Sequence, residues 1–419
     1  MNARVIRTRN GVSGVVRVPG SKSIANRALV MAALAPGVSK LSNVPSGDDT
    51  VAMVDALERL GLNPEFRSGS VRIAGPLDRT STNSVALDAK LAGTTSRFLT
   101  ALASVRCGST TIDGGEPLRR RPNVALRNAL LELGAVIESP VNDGLPVTLH
   151  GNLDLANEVT VDGSVSSQFT SALMMIGSVI EGGLRLNLRG ALVSRSYINL
   201  TAAVMQQFGV QVVADEGSIW VDGSKIRACE LEIEADASSA SYPLAAAAIS
   251  GGSVEVRGLG NTSSQSDALF AELLKDMGCD VAITNSSTTV RRNPSNSLLG
   301  IRANLAEASD LVPSLATVCC FANSRSEITG VGFIRNKESN RIEGLAAQLN
   351  RFGASVIPTP DGLIIEPSAL HGASIDSMHD HRIAMALALV GLRVPGVEIL
   401  DPEVVSKSWP DYWSMLDAL

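Results

Sequence analysis

The chain has 419 residues, of which 45% are apolar and 19% charged, and its formal net charge is -6. A chain of this length can form two or three domains with sizeable cores. The mixed charges and the 3% of aromatic residues argue against a broad nucleic-acid or anionic-membrane surface, and no apolar run approaches the roughly 18 residues of a membrane helix.

The first feature along the chain is the glycine-containing stretch GVVRVPGSKS at residues 14–23. A nucleotide-binding P-loop starting at Gly14 would need glycine at position 19 and lysine at position 20, where the chain has Pro19 and Gly20. Proline also supplies no N–H group to hold a phosphate. The stretch therefore does not predict a mononucleotide site, and Lys22 requires another explanation.

One apolar helix pattern occurs six times at intervals of about 70 residues, so the repeat fills the protein. Each copy is apolar nearly all round, which is typical of a buried helix. The six copies begin at Arg27, Arg97, Gln168, Ser241, Leu311 and Arg382.

A second, amphipathic helix is predicted in each repeat, and in five copies it is followed by a glycine and a β-like segment. The sixth copy, PDYWSMLDAL, reaches Leu419 where its glycine would come. We expect the amino-terminal segment ARVIRT to supply its missing strand. The five glycines are Gly61, Gly134, Gly209, Gly278 and Gly353.

The repeat predicts an α/β protein of two similar domains with three repeats each. We expect one domain to combine residues 1–19 with 234–419 and the other to be an insertion of residues 20–233. The hinge would lie near residues 14–20 and 230–237, where the chain crosses between the domains.

Polar side chains cluster at the starts of the six buried helices. A helix start exposes unpaired N–H groups and a positive dipole end, so hydroxyls and cations there favour anion binding. Serine and aspartate are also common helix caps, and capping is the better interpretation for a single copy. The runs SKSIANR and GSVSSQ carry more polar groups than capping needs, and they favour binding of a small ligand with several negative groups.

Further charged clusters allow two interpretations. The run EPLRRRP is either a solvated turn or a binding segment, and it contains Arg121. The run RNKESNR places Lys337, Glu338 and Arg341 at the start of an amphipathic helix, as a surface ion-pair network or as a site. The motifs HDHR and SKSWP add Arg382 and Lys407.

Together these motifs are similar to those of the 5-enolpyruvylshikimate-3-phosphate synthases, over essentially the whole chain. Ten segments occur in the same order as in that family. They are PGSKSIANRALVMAALAPG, SGDD, AGTTSR, LRRRPN, GSVSSQFTSALMM, LVSRSYI, DASSASYPLAAAAISGG, NKESNR, HDHRIAMA and SKSWPDYW. The resemblance implies the enolpyruvyl transferase fold, an inside-out α/β barrel of three βαβαββ units per domain, with the active site in the interdomain cleft.

The resemblance also implies the reaction. The enolpyruvyl group of phosphoenolpyruvate (PEP) would pass to the 5-hydroxyl of shikimate 3-phosphate through a tetrahedral intermediate, in the sixth step of the shikimate pathway to chorismate. Glyphosate, which mimics PEP, is the family's inhibitor. No metal or organic cofactor is implied, and the four histidines and five unpaired-looking cysteines agree with that expectation.

The resemblance assigns site residues motif by motif. Shikimate 3-phosphate would contact Lys22, Ser23, Arg27, Ser166, Ser167, Gln168, Ser194, Asp310 and Lys337. PEP would contact Lys22, Gly93, Arg121, Gln168, Arg341, Arg382 and Lys407. Asp310 is the candidate base for the 5-hydroxyl and Glu338 the candidate acid, with Lys22 sharing in proton transfer and charge stabilisation.

Two alternatives stay open at this point. The sister enzyme that transfers enolpyruvate to UDP-N-acetylglucosamine shares fold and donor, but it usually has a cysteine in the loop that corresponds to GGEPLRRRP, where this chain has none. A non-catalytic anion-binding relative would be expected to lose acids and cations that this chain retains. We expect a cytoplasmic monomer, without a secretory signal, that binds PEP and shikimate 3-phosphate but neither nucleic acid nor membrane.

Overall fold

The computed structural model describes residues 2–138, 144–190, 193–223 and 225–419. The chain divides into two compact units. The terminal unit comprises Met1–Pro19 and Glu234–Leu419, and the central unit comprises Gly20–Ile233. The chain therefore passes from one unit to the other twice. None of the described helices is both long and apolar enough to cross a membrane.

Most strands among the described residues are short. In chain order they are β1 (Ala3–Val5), β2 (Val12–Arg17), β3 (Gly37–Ser42), β4 (Glu65–Arg67), β5 (Ser70–Gly75), β6 (Val85–Asp88), β7 (Ser109–Asp113), β8 (Val136–Glu138), β9 (Val147–His150), β10 (Glu158–Asp162), β11 (Leu184–Arg189), β12 (Val212–Ala214), β13 (Ser218–Val221), β14 (Glu230–Glu232), β15 (Gly252–Arg257), β16 (Asp280–Ile283), β17 (Ser287–Arg292), β18 (Arg302–Asn304), β19 (Ser326–Thr329), β20 (Ser355–Thr359), β21 (Gly362–Glu366), β22 (Ser374–Asp376) and β23 (Glu398–Leu400).

The α-helices alternate with these strands. They are α1 (Lys22–Leu34), α2 (Asp48–Arg59), α3 (Gly93–Ser104), α4 (Glu116–Arg119), α5 (Val124–Glu132), α6 (Ser167–Gly177), α7 (Arg195–Gln207), α8 (Ala237–Ser250), α9 (Phe270–Asp276), α10 (Val312–Cys319), α11 (Arg341–Arg351), α12 (His381–Ala388) and α13 (Tyr412–Ala418). Short 3-10 helices at Ser266–Leu269, Ser309–Leu311, Gly332–Asn336, Leu389–Leu392 and Pro402–Lys407 complete the described helical segments.

The central unit contains three four-stranded sheets with one shared topology. Their strand orders are β14-β3-β5-β4, β6-β7-β9-β8 and β10-β11-β13-β12. In each sheet the first two strands are parallel and the other pairings are antiparallel. Parallel neighbours need a crossover connection, which the buried helices α3 and α6 provide for β6–β7 and β10–β11. Strand β14 instead reaches β3 after the chain has passed through the rest of the unit.

The terminal unit repeats this topology. Its sheets are β16-β17-β15-β2, β18-β19-β21-β20 and the three-stranded β1-β23-β22. Strand β1 pairs antiparallel with β23, where Arg4 lies opposite Ile399, and so confirms that the amino-terminal strand completes the sixth repeat. The α/β fold class predicted from the repeat is therefore present.

Two strands pair with strands that are distant in the sequence, and each completes a different sheet. Strand β2 pairs in parallel with β15, and β14 pairs in parallel with β3. Each is the last strand before the chain enters the other unit, and each takes an edge position of a sheet in its own unit. The backbone N–H of Asp236 donates to the carbonyl of Pro19 at 2.9 Å, which ties together the two crossing segments within the terminal unit.

Each unit has its own apolar core. Helices α1, α3 and α6 pack on one another in the central unit, and α10 packs on both α8 and α12 in the terminal unit. Every residue of α8 is buried, as its alanine-rich sequence predicts. The five predicted stop glycines all adopt positive φ, between 80° and 101°, which confirms their role in ending the second helices.

Candidate active site

Charged side chains in the terminal unit meet at the starts of its buried helices. Asp310 lies on the turn Ser309–Leu311 that leads into α10, Arg382 lies in the first turn of α12, and Lys407 ends the turn Pro402–Lys407. We call the charged cluster the set Asp310, Lys337, Glu338, Arg341, Asp380, Arg382 and Lys407. All the site residues predicted for this unit belong to it.

Arg341 is the centre of the charged cluster. Its Nε donates to Asp380 at 2.8 Å, its Nη1 to Asp310 at 2.9 Å and its Nη2 to Glu338 at 2.8 Å. The side chains of Arg341 and Asp380 are only 1% and 0% exposed. Burial would lower the pKa of Arg341, but Asp380, Glu338 and Asp310 together raise it, so the guanidinium stays charged.

Asp310 is held by three cations. Its Oδ1 accepts from Lys337 at 2.8 Å and from Arg341, and its Oδ2 accepts from Arg382 at 2.9 Å. Burial raises the pKa of Asp310, but Arg382, Lys337 and Arg341 outweigh burial and lower it well below its usual value. Asp310 is therefore ionised at neutral pH.

The Glu338 carboxylate lies between two cations. Besides the bond from Arg341, its Oε1 is 3.6 Å from the Nζ of Lys407, whose side chain is 7% exposed. Four cations of the cluster thus face three carboxylates. An arrangement with more cations than carboxylates is suited to small anions, since arginine matches carboxylate and phosphate geometry.

The expected position of Lys337 on an amphipathic helix with Arg341 is wrong. Helix α11 begins at Arg341, because Asn340 is its N-cap and accepts the backbone N–H of Glu343 at 3.2 Å. Lys337 lies in the preceding turn, yet its ammonium reaches the same carboxylate oxygen of Asp310 as Arg341 does.

In the central unit, Lys22 is the first residue of α1 and forms an ion pair with Asp49 at 2.8 Å. The Asp49 side chain is 4% exposed, and the hydroxyl of Thr95 donates to its backbone carbonyl at 2.9 Å. The lysine is therefore held in place by the start of α2.

A second group in this unit surrounds Gln168, in the first turn of α6. Arg97 Nη1 donates to its Oε1 at 2.6 Å, and its Nε2 donates to the hydroxyl of Thr94 at 3.1 Å. The side chain of Ser166 caps α6 by accepting the backbone N–H of Gln168 at 3.3 Å. Ser167 follows as a buried residue.

Gly93 lies where Arg121 approaches the start of α3. A Cβ atom at this position would lie 2.7 Å from Cζ of Arg121 and 2.9 Å from Nη1 of Arg97. Only glycine leaves both guanidinium groups in place. Gly93 and Arg121 are thus brought together, as are Gln168 and Ser166.

Arg27 is buried, and all three of its nitrogens donate within the protein. They reach the hydroxyl of Thr201 at 2.7 Å, the hydroxyl of Ser171 at 3.1 Å and the carbonyl of Ser23 at 2.9 Å. Burial lowers the pKa of Arg27 to about 10, so it stays charged at neutral pH. In this structure its contacts are those of a side chain that fixes α1 to α6 and α7.

Ser194 precedes α7 with φ of 52° and is buried. A non-glycine residue in this left-handed region carries local strain, which is frequent at functional sites. Among the described residues, Ser194 and Lys22 lie outside the hydrogen-bonded group around Gln168.

Sequence reasoning missed three participants. Asp49 and Asp380 occur in the quoted motifs SGDD and HDHR, and Arg97 occurs in AGTTSR, but none was assigned a role. The signal was present, since each is a charged residue inside a motif that the family resemblance already quoted. Among the described residues, no group of three or more histidine, cysteine or acidic side chains is placed to hold a metal ion.

The chain has two units whose sheets share one topology, with cations and hydroxyls at the starts of their buried helices. These features define an α/β protein of the enolpyruvyl transferase fold. The model of the family described as EPSP synthase (3-phosphoshikimate 1-carboxyvinyltransferase) matches residues 6–416. The chain belongs to this family.

Similar proteins agree over nearly full length. A 3-phosphoshikimate 1-carboxyvinyltransferase of Trichormus variabilis is 37% identical over 410 residues, which is 96% of this chain and 95% of that protein. One of Syntrophobacter fumaroxidans is 38% identical over 421 residues, with 99% of each covered. A solved EPSP synthase structure from Acinetobacter baumannii has a TM-score of 0.80 at 26% identity, covering 99% of this chain and 97% of that one.

Proposed function

We propose that the protein transfers the carboxyvinyl group of PEP to the 5-hydroxyl of shikimate 3-phosphate, with release of phosphate, as a 3-phosphoshikimate 1-carboxyvinyltransferase of the shikimate pathway. Membership of the EPSP synthase family over residues 6–416 carries this conclusion. The charged cluster supports it, because PEP combines a carboxylate and a phosphate that need several cations.

For PEP, we propose contacts with the residues that the family motifs assign. They are Arg382, Lys407 and Arg341 of the charged cluster, together with Lys22, Gly93, Arg121 and Gln168. Arg341 is already bonded to three carboxylates, so an anion that reaches it must displace one of them. Arg382 and Lys407 are therefore the stronger candidates for direct contact in the terminal unit.

For shikimate 3-phosphate, we propose that Ser166, Ser167, Ser194 and Lys337 bind the phosphate. Hydroxyls at the start of α6 add to the unpaired N–H groups and dipole of that helix, which favours an anion. Ser23, Arg27, Gln168 and Asp310 would orient the ring, with Arg27 acting through the carbonyl of Ser23 and the helices that it connects.

In the proposed mechanism Asp310 accepts the proton of the 5-hydroxyl as its oxygen bonds to C2 of PEP. Glu338, in its protonated form, supplies a proton to the methylene carbon, which becomes a methyl group in the tetrahedral intermediate. As phosphate leaves, the Glu338 carboxylate takes back one methyl proton, which restores the double bond, and the proton held by Asp310 passes to the departing phosphate. Lys22 would stabilise the charge that develops, and this sequence of steps uses no metal or organic cofactor.

A phosphate-release assay tests the function. PEP and shikimate 3-phosphate together should release phosphate, whereas PEP alone should not. Release with UDP-N-acetylglucosamine in place of shikimate 3-phosphate would instead support the sister activity. If neither acceptor leads to phosphate release, the result would support a non-catalytic relative. We also propose that the protein acts as a cytoplasmic monomer, which sedimentation in solution tests for the oligomeric state.

A further inference from the structure

Asp267 is a buried acid to which the proposed mechanism gives no role. It lies in the 3-10 helix Ser266–Leu269 and is 4% exposed. The hydroxyl of Ser238 donates to its Oδ2, and its Oδ1 has no hydrogen-bond partner among the described residues. A buried, ionised carboxylate with one unsatisfied oxygen is costly, so the neutral acid is favoured.

The helix of Asp267 is packed against the turn that carries Asp310. The hydroxyl of Ser266 donates to the carbonyl of Glu307 at 2.6 Å, three residues before Asp310. Ser238, the hydrogen-bond donor to Asp267, lies in the first turn of α8. Asp267 is thus fixed, on two sides, beside the charged cluster.

The charged groups within electrostatic range of Asp267 come from three elements: Asp236 before α8, Asp310 before α10 and Arg382 in α12. The residues of the adjoining helix α9 that are buried are apolar. Burial, with the negative charges of Asp310 and Asp236, raises the pKa of Asp267 to about 7, while Ser238 and Arg382 oppose the rise. Asp267 therefore changes charge near neutral pH, where Asp310 stays ionised.

We propose that Asp267 is a positioning residue for PEP binding. As the neutral acid it leaves Asp310 as the carboxylate partner of Arg382. As the carboxylate it competes with Asp310 for the Arg382 guanidinium and repels the anionic substrate. This inference rests on the proposed function for its substrate. The added negative charge acts through Arg382, which donates to Asp310 at 2.9 Å.

The first test measures the charge of Asp267 without using activity. Infrared spectra of the wild type and Asp267→Asn are compared in the carbonyl-stretch region of protonated carboxylic acids, below and above about pH 7. Below that pH the wild type should show one additional band that the variant lacks, and above it the band should disappear. Identical spectra at every pH would overturn the proposal, whether or not the protein turns over PEP and shikimate 3-phosphate.

The second test measures the KM for PEP against pH. In the wild type this KM should rise through neutral pH by about threefold to tenfold more than in Asp267→Asn, the size of an interaction of roughly half to one pKa unit. The two proteins should agree at lower pH. Protonation of the substrate phosphates is common to both, so the difference between them isolates the side chain.

Two further variants separate positioning from a structural role. Ser238→Ala removes a hydrogen bond that lowers the pKa of Asp267, so the rise in KM should move to higher pH. Asp276→Asn, which changes an exposed acid of the same unit, should leave the pH dependence unchanged. If Asp267→Asn instead lowers kcat equally at every pH, or does not fold while Ser238→Ala keeps the wild-type profile, the positioning role is refuted.

Discussion

Replacing Arg341 by methionine tests whether the charged cluster depends on one buried guanidinium. Methionine keeps much of the apolar stem and removes the charge. Asp310 would retain Arg382 and Lys337, and Glu338 would retain Lys407.

Asp380 is the carboxylate that would suffer most from this change. Its side chain is 0% exposed, and among the described residues it would keep the hydroxyl of Ser339 and the backbone N–H of Arg382 as hydrogen-bond donors, with Nδ1 of His381 3.8 Å away. Removing one partner of a buried ion pair costs roughly 3–5 kcal/mol because the other charge stays buried. We expect Arg341→Met to lower the free energy of unfolding of the terminal unit by about that amount.

Urea unfolding followed by tryptophan fluorescence measures this loss. Trp409 and Trp413 lie in the terminal unit and Trp220 in the central unit, so a Trp220→Phe background reports on the terminal unit alone. Arg302→Met is the matched control, since the Arg302 side chain is 85% exposed and its pair with Glu327 should contribute at most about 1 kcal/mol. A loss for Arg341→Met no larger than that of the control would refute the reasoning.

Further variants test the proposed substrate contacts through steady-state kinetics. Glu338→Gln should bind both substrates but lose about 10²- to 10⁴-fold in kcat as a missing proton donor, and an unimpaired rate would remove Glu338 as the acid. Ser167→Ala should raise the KM for shikimate 3-phosphate by about tenfold, the value of one hydrogen bond to an anion, and equal effects on both substrates would argue against a phosphate site there. Gly93→Ala should displace the Arg121 guanidinium, because the new Cβ would lie 2.7 Å from its Cζ. It should raise the KM for PEP by roughly tenfold or more, and an unchanged KM would mean that Arg121 does not bind PEP.

The repeat was predictable because its signals are local and strong. Apolar runs such as that of α8 predict buried helices, and glycines such as Gly278 predict the ends of the amphipathic helices. The place of β1 followed from a missing strand in the sixth repeat. Strand β14 was not foreseen, because it has only three residues, Glu230–Glu232, and its partner β3 lies far away in the sequence.

The site was predictable in its composition and less so in its pairings. Cations and polar side chains at helix starts pointed to Arg382 and Gln168 without geometry, whereas Lys337 was assigned through the family motif and lies before its helix. The sequence does not tell whether Asp380 caps a helix, pairs with Arg341 or does both, because aspartate is a common N-cap. The structure has it do both, with its Oδ1 accepting the backbone N–H of Arg382 at 3.0 Å.

The pairing of β1 and β2 with strands late in the sequence has a consequence for biosynthesis. Strand β2 is complete at Arg17, but its partner β15 begins at Gly252, and β1 must wait for β23 at Glu398. At ordinary translation rates that delay is on the order of tens of seconds. During this time all the described strands of the central unit's sheets, including β14, have already been synthesised. Strands β1 and β2 have no pairing strand until β15 and β23 have been synthesised. Until then their backbone N–H and C=O groups are open to pairing with other strands, as in any exposed edge strand.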